Sequence, residues 1–229
     1  MTPRTALSPT PLATLTLVMA AVAQVIIAGL TLGFAGHVSP WRDPVSDYAW
    51  HRGGRLLFAV AVVLLLAAAA ALVAAARLAA LPHSPPATVL FVLWIAGLVV
   101  VLVFRSNLSA SNPTASGTIH RVGGGVLFAS LPLAAWVLSA RLRTEPRWLT
   151  VAPALRRGAV AGVTTAAAFG TAQVVGRLPA GFLERIALLA EFLIIAIVAT
   201  ALRRAVSVSS TPEPRSVTAT AAKPGRAVR

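Results

Sequence analysis

Arg55-LLFAVAVVLLLAAAAALVAAA-Arg77 holds twenty-one consecutive residues, 56–76, with no charge, amide or hydroxyl, and an arginine closes it at each end. A hydrocarbon core about 30 Å thick is crossed by about 20 helical residues. No water is available there to take up backbone N–H and C=O groups, so a stretch of this kind must satisfy its own hydrogen bonds as a helix. Working outward, the same ruling repeats along the chain. Apolar runs extend from Pro11 to Phe34, from Ala87 to Phe104 (stopped by Arg105), and between Arg121 and Arg141, Arg157 and Arg177, and Arg185 and Arg203. The expected fold is all-α: a polytopic membrane protein built as a bundle of six transmembrane helices. The bundle occupies residues 11–204, between a short N-terminal segment (1–10) and a basic tail (205–229). The tail, rich in Ser, Thr, Pro and Ala, lacks the apolar content to fold and is expected to be disordered.

Composition agrees. Of 229 residues, 57% are hydrophobic and 11% charged, against about 25% charged in soluble domains, and the mean hydropathy is +0.82. The net charge of +14 raises the question of nucleic acid. Its arginines, however, lie between apolar stretches and in one tail, which is membrane-protein placement rather than a basic face on a soluble domain. Nucleic-acid binding is therefore excluded as a leading class. With no cysteine in the chain, there is no disulfide framework, thiolate metal site or cysteine nucleophile. The Ala/Val/Leu/Arg usage with a single lysine, Lys223, fits a GC-rich bacterial genome.

The first apolar run is longer than the 7–15-residue core of a signal peptide and has no small-x-small cleavage site after it, so a retained helix is expected. Placing the N-terminus inside puts thirteen of the twenty Lys and Arg residues on the cytoplasmic side and seven outside. The positive-inside rule thus favours a cell-membrane protein with both termini cytoplasmic.

In that orientation the polar chemistry gathers outside. The first outer loop, Gly36 to Arg52, carries Asp43, Asp47, His37, His51, Trp41, Trp50 and the sole tyrosine, Tyr48. The second, Ser106 to Ile119, leads into His120-Arg121, and the third into Glu184-Arg185. Asp43, Asp47, His51, His120, Arg121, Glu184 and Arg185 form the candidate outer-face cluster. Imidazole and carboxylate together could hold zinc and acidify a bound water, but no HExxH or paired-ligand spacing occurs. No metal, cofactor or catalytic residue is therefore assigned. Ion pairs of Asp47 with Arg52 or Arg55, and of Glu184 with Arg121, are the simpler expectation.

Glu191 lies inside the sixth apolar run, one heptad from Glu184 and so near the same helical face. An intramembrane acid is a functional candidate by default. Gln24 and Gln173, or a snorkelling arginine, are its expected partners. Gly123-Gly124-Gly125 in the fourth run and Gly158, Gly162, Ala166 and Gly170 in the fifth read as small-residue faces for close helix packing, as do the alanine runs of the second.

Ser46-Asp47-Tyr48, Thr118-Ile119-His120 and Gly181-Phe182-Leu183-Glu184-Arg185 resemble the motifs of the bacterial domain-of-unknown-function family 998. The resemblance implies six helices from about Leu12 to Arg204 and supplies no activity. In that family an acid often follows the phenylalanine that ends the third helix. Here the stretch is Phe104-Arg105-Ser106-Asn107, which weakens metal or acid–base chemistry at this corner.

Three functional readings follow. The first is a non-enzymatic binding or accessory protein whose outer loops meet membrane lipids or a membrane-protein partner. The second is a small transporter or lipid-handling protein using Glu191, with a polar cavity between the first, fifth and sixth helices. The third is a membrane-embedded hydrolase, which requires His51, His120, Asp47 and Glu184 to share a pocket.

Overall fold

Helix ends are set by local chemistry that continues past the apolar runs. In the computed structural model, which describes residues 8–107 and 113–207, the helices are α1 (Pro9–Gly33), α2 (Gly54–Leu78), α3 (Pro85–Val103), α4 (Ala115–Leu142), α5 (Ala152–Val175) and α6 (Ala180–Ser207). All six are long and apolar enough to cross a membrane. No strand occurs among the described residues. The chain is a multi-pass, all-α membrane protein. The tail beyond Ser207 lies outside the described residues.

Ser8 caps α1, its side chain accepting from Thr10 N at 3.3 Å, and Thr114 caps α4, accepting from Gly117 N at 3.0 Å. Such caps satisfy orphan N–H groups at the helix start. Prolines sit in the first turns of α1, α3 and α5, where their missing N–H costs nothing. Helices α4 and α6 begin several residues before Arg121 and Arg185, because an arginine ends the apolar run without ending the backbone hydrogen bonding.

In order of packing the helices run α2, α1, α6, α5, α4, α3, and α2 and α3 meet over few positions even though they are consecutive. The α1–α2 seam is built from small residues: Ala13 and Ala20 on one side, Ala61, Ala68 and Ala75 on the other, all buried. Each set repeats every seven residues, and the absent side-chain bulk lets the backbones approach, which is how helices associate where lipid removes the hydrophobic drive. Thr16 Oγ1 donates across this seam to Ala68 O at 3.3 Å.

Helices α4 and α5 cross at Pro132 and Gly162. Pro132 sits inside α4, and a Cβ on Gly162 would come within 2.7 Å of the proline ring. Toward the polar loops the two helices part. Gly124, Gly125 and Gly170 have nothing within 4 Å of where a Cβ would stand. Half of the small-residue face expected to close the bundle thus leaves it open.

Candidate functional site

The loops 34–53 and 176–179 and the described residues 104–107 and 113–114 between α3 and α4 meet at one end of the bundle, here the polar end. The first turn of α6 is the clasp that holds them. Gly181 N and Phe182 N donate to Arg42 O and Trp41 O, both at 3.2 Å. A Cβ at Gly181 would collide with the Asp43 backbone, so only glycine lets the loop sit there. The Phe182 ring stacks on Trp41 with centroids 4.9 Å apart. Glu184, 7% exposed, accepts from Val45 N at 2.6 Å. The Arg185 guanidinium donates to Tyr48 Oη (2.6 Å), Gly181 O (2.7 Å), Asp43 O (3.1 Å) and Thr31 Oγ1 (3.2 Å).

Asp43 turns its carboxylate back on its own loop, accepting from Ser39 N at 2.7 Å. Asp47 accepts from Ser106 Oγ at 3.3 Å, and Ser106 Oγ in turn accepts from Trp50 Nε1 at 3.1 Å. This relay joins the first loop to the second. Burial pushes the Asp47 carboxyl up to about 6; the Ser106 hydrogen bond opposes the shift and the nearby Asp43 charge adds to it. His120 Nδ1 lies 2.7 Å from Phe104 O. A carbonyl only accepts, so Nδ1 carries a proton, and in the neutral form of the ring Nε2 is the acceptor.

Below this end is a cavity of about 590 Å³, walled mainly by α2 to α6, with Ile27 of α1 also in its lining. Asp47, Ser106, His120, Arg121 and Glu184 line its head, Glu191 its interior and Gln173 its rim. Apolar and small residues make up the remainder, including Gly124, Gly125, Ala129, Ala166 and Gly170. Several of these are exposed on the bundle surface between α4 and α5, so the cavity reaches the lipid-facing side.

The structure therefore brings together Asp47, His120, Arg121, Glu184, Gln173 and Glu191, and leaves four expected residues outside the cavity lining. Asp43 and Arg185 are spent on the clasp. His51 packs against His37 and Phe34, with centroids 5.6 and 5.7 Å away. Gln24 Nε2 donates to Leu188 O at 3.3 Å. The expected ion pairs of Asp47 and Glu184 do not form; among the described residues the one salt bridge is Arg141–Glu145, 2.8 Å, at the opposite end. Backbone N–H and hydroxyl donors take the place of arginine because they are nearer and already desolvated. No group of three metal-ligating side chains occurs among the described residues.

Glu191 finds a partner that residue type did not single out. It is 5% exposed, eleven residues into α6 and so about 16 Å along the axis. Its Oε2 accepts from Trp94 Nε1 on α3 at 3.2 Å, not from a glutamine or an arginine. Its Oε1 has no hydrogen-bond partner. The available signal for Trp94 was its position: tryptophan belongs to the interfacial belts, and this one sits mid-helix.

A family profile described as "Protein of unknown function (DUF998)" matches residues 14–201, from the second turn of α1 to near the end of α6. No curated protein and no solved structure gives a match.

Proposed function

We propose that this chain, which belongs to the DUF998 family of proteins of unknown function, holds an amphiphilic, lipid-like molecule in the cavity of its polar end, as a binding rather than a transforming protein. The observation that carries the reading is the cavity's division of chemistry. Acids, imidazole and one guanidinium line the head, while small and apolar residues wall the opening between α4 and α5. A headgroup meets Asp47, His120, Arg121 and Glu184, and an acyl chain lies along Gly124, Gly125 and Gly170. Pockets that bury most of a ligand use this pattern of apolar lining with a few fixed polar groups. The cavity takes lining from the first, fifth and sixth helices and from α2, α3 and α4 as well.

By the arginine count, the polar end faces outward from the cell membrane with both termini cytoplasmic. Sided labelling of a single cysteine placed at Ser39 tests this, since the chain has no cysteine of its own.

A second reading, hydrolysis of a bound ester, draws on His120 alone: its Nε2 is available as a base beside Asp47 and Ser106 on the cavity wall. One experiment separates the two. Native mass spectrometry of the purified protein should show a retained amphiphile of constant mass. Filling the wall with Gly124→Leu and Gly170→Leu should reduce occupancy about tenfold, a change of about 1.4 kcal/mol. Equal lipid retention by the filled variant would sink the binding reading. Time-dependent cleavage abolished by His120→Ala would favour hydrolysis.

A further inference from the structure

A second cavity, about 380 Å³, lies nearer the opposite end. It and the upper cavity share four helices. On α2 the lining passes from Phe58, Ala61 and Leu65 above to Leu72 and Ala76 below; on α6, from Glu184, Leu188 and Glu191 to Ile195 and Val198. On α3, Leu98 lines the upper cavity and Phe91 the lower. Trp94 stands between them at i, i+3 and i+7 spacing, hence on the same face. It is 1% exposed and donates to Glu191. The two spaces thus follow one interior seam, interrupted at the level where Trp94 reaches from α3 to α6. The seam also runs beside the sparse contact of α2 with α3, so little packing on that side of α3 must be broken for it to shift.

We propose that the two cavities are halves of one path through the bundle, that Trp94 hydrogen-bonded to Glu191 is the septum closing it, and that what crosses is a small solute bearing an N–H or O–H donor. The solute class follows from Glu191. Its Oε1 is a buried oxygen without a hydrogen-bond partner, a condition that costs free energy until a donor arrives. A donor-bearing solute in the upper cavity satisfies Oε1 and competes with the indole for the same carboxylate. Release of Trp94 then joins the two spaces. This goes beyond the binding of an amphiphile and is independent of the opening between α4 and α5.

The cysteine-free chain makes the septum directly testable. Single cysteines at Leu188 (upper cavity) and Leu138 (lower cavity) are challenged with a membrane-impermeant methanethiosulfonate reagent from either face of oriented vesicles. In the native chain, each position should react from its own side only. Trp94→Ala should raise cross-side labelling about tenfold. Trp94→Phe, which keeps most of the ring volume and loses the N–H, should raise it less. Cross-side labelling of both positions in the native chain, or no change in either folded Trp94 variant, overturns the septum. The solute class is read separately with radiolabelled ethanolamine and tetramethylammonium in proteoliposomes. Uptake of ethanolamine alone, lost in Glu191→Leu even though that variant, like Trp94→Phe, shows raised cross-side labelling, is the expected result. Equal uptake of both probes, uptake of neither, or uptake unaffected by Glu191→Leu overturns it. Neither readout depends on lipid retention, so failure here and failure of the amphiphile reading are distinguishable.

Discussion

At the polar end Arg185 gathers Tyr48, Thr31 and two backbone carbonyls around a loop of aromatic and acidic residues; at the other end Arg147 performs a similar task with less. The Arg147 guanidinium donates to Ala205 O at 2.7 Å and Ala79 O at 3.5 Å, holding carbonyls at the C-terminal ends of α6 and α2, where a cation also meets the helix dipole favourably. Beside it, Arg156 lies over the Trp136 ring, 2.9 Å from its centroid, and Arg141 pairs with Glu145. Both ends use arginine as a structural tie. The difference is in the acids. At the arginine end the one carboxylate among the described residues, Glu145, is satisfied by a cation at the surface. At the polar end the carboxylates take backbone, hydroxyl and indole donors, and three of them line a cavity. Counting charges would place the chemistry at the arginine-rich end; following hydrogen bonds places it at the other.

The comparison breaks first at Arg185. Arg185→Ala removes four donor contacts and leaves the Tyr48 hydroxyl and the loop carbonyls without their partner. It should cost about 3–5 kcal/mol and lower the melting temperature in detergent by about 10 °C. Lysine cannot span the same fork of acceptors, so Arg185→Lys should restore less than half of the loss. Retention of the native melting temperature by Arg185→Ala would show that the clasp is not what holds this end.

The next effect sharpens the contrast between closed and open halves of one helix pair. Gly162→Val forces a side chain onto Pro132 and should destabilise by about 1–3 kcal/mol. Gly170→Val, eight residues along the same face, points into open space and should change the melting temperature by no more than about 1 °C. Equal effects would mean that α4 and α5 do not part. Arg147→Ala, third in size, should cost about 1–2 kcal/mol, visible as a melting-temperature drop of a few degrees without loss of bound amphiphile.

The smallest effect is a pH dependence at Asp47. Its carboxyl is raised from an ordinary value of 3.8 to about 6 by burial, so between those values the folded chain holds a proton that the unfolded chain has released. Stability therefore falls as pH rises from about 4 to about 6. Asp47→Asn should flatten this part of the melting-temperature profile. An unchanged slope would show that Asp47 is solvated at the loop surface.

Six of the residues singled out by chemistry in the sequence line the upper cavity, but their partners were not legible. Asp47 and Glu184 invited arginine because opposite charges are the obvious match at a distance; within a loop fold, the nearer desolvated donors were Ser106 Oγ and Val45 N. The glycine and alanine face of α5 was read whole as a packing face, and only its Gly158–Gly162 half is one. His51 was grouped with His120 by residue type, and an aromatic contact with Phe34 and His37 draws it aside. Trp94 escaped notice because tryptophan counts as an apolar residue in a hydropathy run, and its mid-helix position, the one signal of a buried N–H donor, was passed over.

The sequence by itself determined the six helices, their order and nearly their ends, because length and hydropathy are local properties and lipid admits no other hydrogen-bonded solution for such runs. It also placed the acids and histidines on those helices and in the loops between them. The tertiary structure decided which face of each helix turns inward. In lipid both faces are apolar and small residues can either close a contact or leave a space, so no amphipathic stripe marks the interior. Only the packing of six helices together could bring Trp94 to Glu191, part α4 from α5, and set three acids around a cavity.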